Sequence, residues 1–420
     1  MQKRIAARVL ALIIYIISSS YLPLDAKQNI SLGIDNLIKS NFEYLARKRV
    51  ILYTNQSGRN SEGKLTAEIF AKQTSFSTVA FFTPEHGIYS TVPAGEEVKN
   101  DNIFGVPIIS LYGTSKKPIA KQLENCDALV VDIQDIGVRS YTYISTLFYI
   151  MEACAEQNVE LVILDRPNPI GGMIIDGNII KDGFKSFIGV ASVPYLHGCT
   201  IAELANLINE EGWLKKDGKT IKAKIHTIKM SGWKRWMSWE DTGLSWIPTS
   251  PHIPSVDAAR GYATLGFLGE LGIISIGIGT TLPFQYIGSP NFSTEKVIKE
   301  LEKTKIEGLS LLQTRYRPFY AKNANSDCDG LLLRFKLSNH FEPYSAGFKI
   351  IYAIRKVHPE LFNIGTLSEN AKQMFCKATG TDELLDALFD MKTTEEKLLQ
   401  LCNKGKKEFI AKRAKYLIYD

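Results

Sequence analysis

The sequence predicts an α/β protein, a Rossmann-like parallel-sheet N-terminal domain followed by a smaller α/β C-terminal domain. Three observations predict it. Between Arg49 and Asn168, short β-rich apolar runs alternate with longer mixed segments suited to helices. The runs are apolar at successive positions, the mark of strands covered on both faces. Each run also stops abruptly in polar residues, at the strand ends where such sheets place their ligands.

Taken in order, residues 1–26 read as an export signal. Lys3, Arg4 and Arg8 make a basic start, residues 9–17 an apolar run, and Leu24-Asp25-Ala26 a small-residue cleavage site. The run is short for a membrane span of about 20 residues. The mature protein is therefore expected to be exported, periplasmic or secreted, with no membrane span after signal removal. The apolar runs at 50–53, 79–82, 108–111, 128–131 and 161–164 are the expected parallel strands. Thr200 and Glu203 form a capping box opening a helix to about 211, because each side chain can satisfy an orphan backbone donor. Residues 222–230 alternate like a strand. Residues 231–254, dense in Trp, Pro and Gly, read as a long ordered loop across a cleft. Trp233, Trp236, Trp239 and Trp246 either wall that cleft or, at a spacing of three, pack a helical core face. Ser293 is expected to cap a helix to about 306, and residues 392–418 read as highly charged helix. The resulting domains are 27–265, the Rossmann-like catalytic domain, and 266–420, the smaller α/β domain closing the cleft.

Composition narrows the function. The chain has 420 residues, 45% hydrophobic and 22% charged, which excludes collagen-like, repeat-built and disordered classes. Its net charge of +6, from 50 basic and 44 acidic residues, is too evenly mixed for a dedicated nucleic-acid binder. The six cysteines form no CxxC pair, which argues against structural zinc and thioredoxin-type chemistry, and they are expected to be buried free thiols. There is no Gly-x-Gly-x-x-Gly after the first strand, no P-loop, no His-Glu-x-x-His and no Gly-x-Ser-x-Gly. No cofactor and no metal are expected.

Candidate chemistry sits at the strand ends. Glu85, held between Pro84 and His86-Gly87 after an apolar strand, suits a general acid fixed on a stiff turn. His86 either orients it, binds substrate, or is a packed turn histidine. Asp132 and Asp135 are candidate partners, since two carboxyl groups about 5–10 Å apart are the machinery of glycoside hydrolysis. The competing reading is that either caps the next helix or pairs with Arg139. Asn55, Tyr112, Arg139, Tyr141, Tyr143, Arg166 and Asn168 supply donors and aromatic faces for a sugar ring and a carboxylate. Arg166 as a structural fork for loop carbonyls is the alternative. His197, just before the capped helix, is a substrate-binding candidate or a structural histidine beside a cap.

These residues carry a resemblance. Thr54-Asn55-Gln56-Ser57-Gly58, Pro84-Glu85-His86-Gly87, Ser110-Leu111-Tyr112-Gly113, Asp132-Ile133-Gln134-Asp135-Ile136-Gly137-Val138-Arg139, Tyr141-Thr142-Tyr143 and Leu164-Asp165-Arg166-Pro167-Asn168-Pro169 stand in this order, and His197-Gly198, Thr200 and Gly232-Trp233 continue it. The set resembles the exo-β-N-acetylmuramidase family of glycoside hydrolases over nearly the whole mature chain. The resemblance implies an active site in the cleft between the two domains. It also implies removal of terminal N-acetylmuramic acid from peptidoglycan fragments, with the glutamate matching Glu85 as a principal catalytic residue. The chain departs from the family at Gly277-Ile278-Gly279-Thr280, where many relatives have Gly-Arg-Gly-Thr. If that arginine grips the lactyl carboxylate, the identity of the sugar is open. A non-catalytic binder of cell-wall sugars is the second reading, and a hydrolase of esters or amides, lacking a visible activated nucleophile, the third.

Overall fold

The computed structural model describes residues 30–420 except residue 337. The export signal read at residues 1–26 lies outside the described residues. The N-terminal half carries strands β1 (Arg49–Thr54), β2 (Ser77–Thr83), β3 (Asp101–Ile103), β4 (Val106–Ser110), β5 (Ala128–Asp132) and β6 (Glu160–Leu164), a small hairpin of β7 (Lys215–Lys216) and β8 (Lys219–Thr220), and β9 (Lys224–Ile228). Its helices are α1 (Gly33–Lys39), α2 (Thr66–Ala71), α3 (Ala120–Leu123), α4 (Thr142–Gln157) and α5 (Ile201–Glu210). Seven strands form one sheet in the order β3-β4-β2-β1-β5-β6-β9. All its neighbours pair in parallel except the short antiparallel pair of β3 with β4. The α/β reading is borne out. β5 is buried at every position and β1 at all but its first, because helices cover both faces and leave no solvent side to be polar.

Thr200 caps α5 as expected. Its hydroxyl accepts from the Glu203 N–H at 3.3 Å, and the Glu203 carboxylate takes the Thr200 N–H at 3.0 Å. The 231–254 segment is loop apart from one short 3-10 turn, so the threefold Trp spacing marks no helix face. Trp233 and Trp239 are buried in it and Trp236 is exposed.

The second half comprises α6 (Val256–Leu265), strands β10 (Tyr286–Ser289), β11 (Leu309–Tyr316) and β12 (Cys328–Phe335) with α7 (Thr294–Leu301) between β10 and β11, then α8 (Pro343–Val357), α9 (Glu369–Thr379), α10 (Glu383–Phe389), α11 (Glu395–Cys402) and α12 (Lys406–Arg413). Its sheet is antiparallel, β10-β12-β11. α8 is the hub, packing on α6, α7 and α11. Two expectations are corrected. Ser293 makes no side-chain cap; its N–H donates to His358 Nε2 at 2.9 Å, and α7 ends at Leu301. The charged stretch over 392–418 is broken between α11 and α12, where Gly405 takes φ 82°, a left-handed turn that suits glycine.

One hydrophobic cluster runs through both halves, from Ile51 and Val131 in the parallel sheet to Phe267, Phe348 and Phe409 beyond it. Residues near 420 return to the first half: the Tyr419 hydroxyl donates to Asp165 Oδ2 at 2.7 Å, and the Ile418 N–H to Glu203 Oε1 at 3.0 Å.

Candidate active site

β1 is flanked by β2 on one side and β5 on the other, which makes the β1–β5 crevice the topological switch point of the sheet. The polar residues delivered there are consumed by one another. Asp132 is fully buried in a bidentate pair with Arg166, at 2.6 Å to Nε and 2.9 Å to Nη2, and Arg166 also donates to the Arg59 carbonyl. Asn55 donates to Ser90 Oγ and the Tyr143 hydroxyl and accepts twice from Ser57, while Tyr143 donates to the Thr249 carbonyl. Asn168 bonds the Cys199 carbonyl and the Ile170 N–H.

The open cleft, about 660 Å³, lies one strand over, above the ends of β2 and β4 and against the second half of the chain. After β2, His86 and Gly87 both take left-handed φ, 72° and 75°, and the turn is tied by the Gly87 N–H to the Pro84 carbonyl. A non-glycine residue held there costs about 1–3 kcal/mol. His86 Nδ1 bonds the Val92 carbonyl at 2.7 Å, which fixes the ring. This reversal aims Glu85 into the cleft. Its Oε1 accepts from the Gly95 N–H at 3.1 Å, and its Oε2 from the Thr142 hydroxyl at 2.6 Å. Thr142 opens α4, 16 residues long, so the carboxylate faces a helix N-terminus, where negative charge is favoured. Tyr112 stands beside it, its phenol pushed up by burial and by the Glu85 charge.

The second half of the chain supplies what sequence reasoning missed. Glu270, on the 3-10 segment Gly266–Leu271, lines the cleft, and burial raises its carboxyl. Tyr262 and His252 line it too; His252 Nε2 lies 2.7 Å from the Tyr320 hydroxyl. Tyr141, which the sequence offered as an aromatic face for a sugar, lines the cleft next to Thr142. No strand-end run announces Glu270; its nearest signal is the Gly-rich context of Gly266, Gly269 and Gly272.

The sequence-named residues thus divide. Glu85, His86 and Tyr112 line the cleft. Asp132, Asn55, Tyr143, Arg166 and Asn168 belong to the buried wiring beneath it, because each finds its partners within the fold. Asp135 also lies below: Gly137 N–H bonds its Oδ2 at 2.6 Å, its Oδ1 has no partner among the described residues, and burial pushes it up to about 7. Arg139 is 1% exposed and donates to the carbonyls of Asn178, Val193, Ala378 and Thr379, bracing the C-terminal end of α9. His197 is buried, its Nδ1 accepting from the Cys199 N–H, and desolvation with Arg413 and Arg139 nearby pushes it down to about 3. None of the four Trp residues lines the cleft. All six cysteines are unpaired and buried, and none lines it either. Among the described residues no group of His, Cys, Asp and Glu could hold a metal ion.

A parallel α/β sheet joined to a second layer, with two carboxyl groups in unlike surroundings lining one cleft, is an arrangement that can serve glycoside hydrolysis, and sequence comparison places the chain in a glycoside hydrolase family. The chain belongs to the exo-beta-N-acetylmuramidase NamZ family: the family's N-terminal model matches residues 50–257 and its C-terminal model residues 260–419. It is 35% identical over 395 residues to the peptidoglycan beta-N-acetylmuramidase NamZ of Bacillus subtilis, covering 94% of this chain and 92% of that one. Two crystal structures of DUF1343 family proteins from Bacteroides fragilis share the fold. One has TM-score 0.87 at 36% identity, covering 94% of this chain and all of that one, and the other TM-score 0.70 at 27%, covering 93% and 99%.

Proposed function

We propose that this protein is an exo-acting glycoside hydrolase that releases terminal β-linked N-acetylmuramic acid from peptidoglycan fragments, with Glu85 and Glu270 as its working carboxyl groups. The observation that carries the reading is their contrast. Both Glu85 oxygens already accept hydrogen bonds, whereas Glu270 makes no hydrogen bond or ion pair among the described residues and burial favours its neutral form. Glu270 is then the proton donor and Glu85 the base or nucleophile, which moves the acid role from the strand-end glutamate to one on the 3-10 segment Gly266–Leu271. In the reaction the C1–O bond breaks, the leaving oxygen takes the Glu270 proton, and C1 receives the hydroxyl of water. The remaining proton of water goes directly to Glu270 where Glu85 is the nucleophile; where Glu85 is the base it takes that proton and releases it to solvent, from which Glu270 is reprotonated, so that both groups are restored.

Export to the periplasm or beyond belongs to the same proposal, supported by the basic start and apolar run of residues 1–26 and by a polymeric substrate. The test is turnover of a chromogenic β-N-acetylmuramide with the β-N-acetylglucosaminide in parallel. Glu85→Gln and Glu270→Gln are each expected to lower kcat by about 10²–10⁴-fold. Normal turnover by either variant removes that residue from the chemistry. Tight binding of the muramide by wild type without turnover replaces the hydrolase with a binding protein.

A further inference from the structure

Besides Glu85 and Glu270, the charged groups that line the cleft are two lysines, Lys116 and Lys377, and no arginine is among them. Lysines close to them in sequence are neutralised: Lys117 pairs with Glu152 and Glu156, and Lys372 with Glu369. Lys116 and Lys377 make no ion pair and no side-chain hydrogen bond among the described residues. Both converge on one tight turn. Ser186 and Gly189 exchange backbone hydrogen bonds at 3.1 and 3.0 Å, and Phe187 and Ile188 between them line the cleft. Lys116 is exposed, its Nζ 4.4 Å from the Phe187 ring centroid and 6.0 Å from that of Tyr112, whose phenol feels the Glu85 charge. At the other end of the turn, a side chain built on Gly189 would stand 3.7 Å from the Lys377 carbonyl and 3.8 Å from Arg139 Nε. The Arg139 guanidinium is spent on carbonyls, yet its fixed charge adds to the positive field here. The Ser186 hydroxyl, buried in the same turn, has no partner among the described residues.

Lys377 is half-buried in the last turn of α9. The carbonyls of Ala378 and Thr379, which a cation at a helix end would ordinarily meet, are taken by Arg139. A half-buried ammonium without a partner is an unfavourable state that a bound anion relieves. On a muramyl ring the hydroxyls and the N-acetyl group are neutral, and the lactyl carboxylate is the one ionised substituent. We propose that Lys377, assisted by Lys116, receives this carboxylate and so selects a muramide in its free-acid form. The proposal rests on the glycosidase reading above and deepens it by naming the residues that choose the sugar. Lys377 carries the larger share, because solvent and salt screen an exposed charge such as Lys116 more strongly.

Two chromogenic β-N-acetylmuramides test it, the free lactate and its neutral methyl ester. Wild type is expected to show kcat/KM at least about tenfold higher on the acid, the effect of a charged hydrogen bond. In Lys116→Met/Lys377→Met the ratio of acid to ester should fall to about one, mainly through KM on the acid. Lys377→Met alone should lose more of the ratio than Lys116→Met, and Lys377→Arg, which keeps the charge, should retain most of it. Equal turnover of acid and ester by wild type overturns the proposal and leaves the glycosidase reading standing. So does a double variant that keeps the wild-type ratio, or one that loses acid and ester turnover equally, as a merely structural role would. If wild type turns over neither glycoside, the glycosidase reading falls, and calorimetric binding of N-acetylmuramic acid and its methyl ester decides this one. Tighter binding of the acid by wild type, lost in the double variant, supports the proposal, and any other pattern overturns it.

Discussion

One oxygen of Asp135 takes the Gly137 N–H while the other finds no donor among the described residues, and burial pushes this carboxyl up to about 7. From its ordinary value of 3.8 upward the unfolded chain has released that proton and the folded protein still holds it. Stability therefore falls as pH rises from about 4 to about 7 and levels off above. Asp135→Asn abolishes the titration. Its stability relative to wild type is expected to improve by up to about 1.4 kcal/mol per pH unit across that window, read from urea unfolding at pH 4 to 8. A gap independent of pH would mean that the folded protein holds no such proton. Asp132, two strand positions from Gln134, meets the opposite fate. Its charge is matched bidentately by Arg166, so the fork reading of Arg166 describes its geometry, with a carboxylate as its main partner.

At the scale of elements, α9 is the part whose placement the cleft depends on, since it brings Met374 and Lys377 to the wall. Its last carbonyls, Ala378 and Thr379, are taken by Arg139 at 3.1 and 2.8 Å, and Gly380 ends the helix at φ 80°. A guanidinium reaches four carbonyls from one plane, and an ammonium does not. Arg139→Lys is expected to destabilise the protein by about 1–3 kcal/mol through carbonyls left unpaired. It should also raise KM several-fold with kcat little changed, because it shifts a wall without touching Glu85. A fall in kcat at constant KM would place Arg139 in the chemistry instead. The strand-end turn after β2 was legible because Pro84, His86 and Gly87 sit together in sequence. The bracing of α9 was not, since its partners lie in the other half of the chain.

For the whole molecule, the hydrophobic cluster that joins the parallel sheet to Phe267, Phe348 and Phe409 makes the two halves one cooperative body. Calorimetry is expected to show a single unfolding transition with equal calorimetric and van't Hoff enthalpies, and two resolved transitions would mean that the halves unfold independently. The sequence by itself determined the parallel strands of the first half, the capped helix at Thr200 and the position of Glu85 at a strand end, because apolar runs, caps and stiff turns act over a few neighbouring residues. It did not determine the antiparallel sheet of β10, β11 and β12. Only the tertiary structure decided which polar groups remained available. Asn55, Arg139, Tyr143 and Arg166 looked like ligands for a sugar, and Asp132 like a catalytic carboxyl, until burial gave each a partner inside the fold. Glu270 came to line the same cleft as Glu85 only through packing of the second half of the chain. Partner and solvent exposure are set by contacts distant in sequence, and no local pattern encodes them.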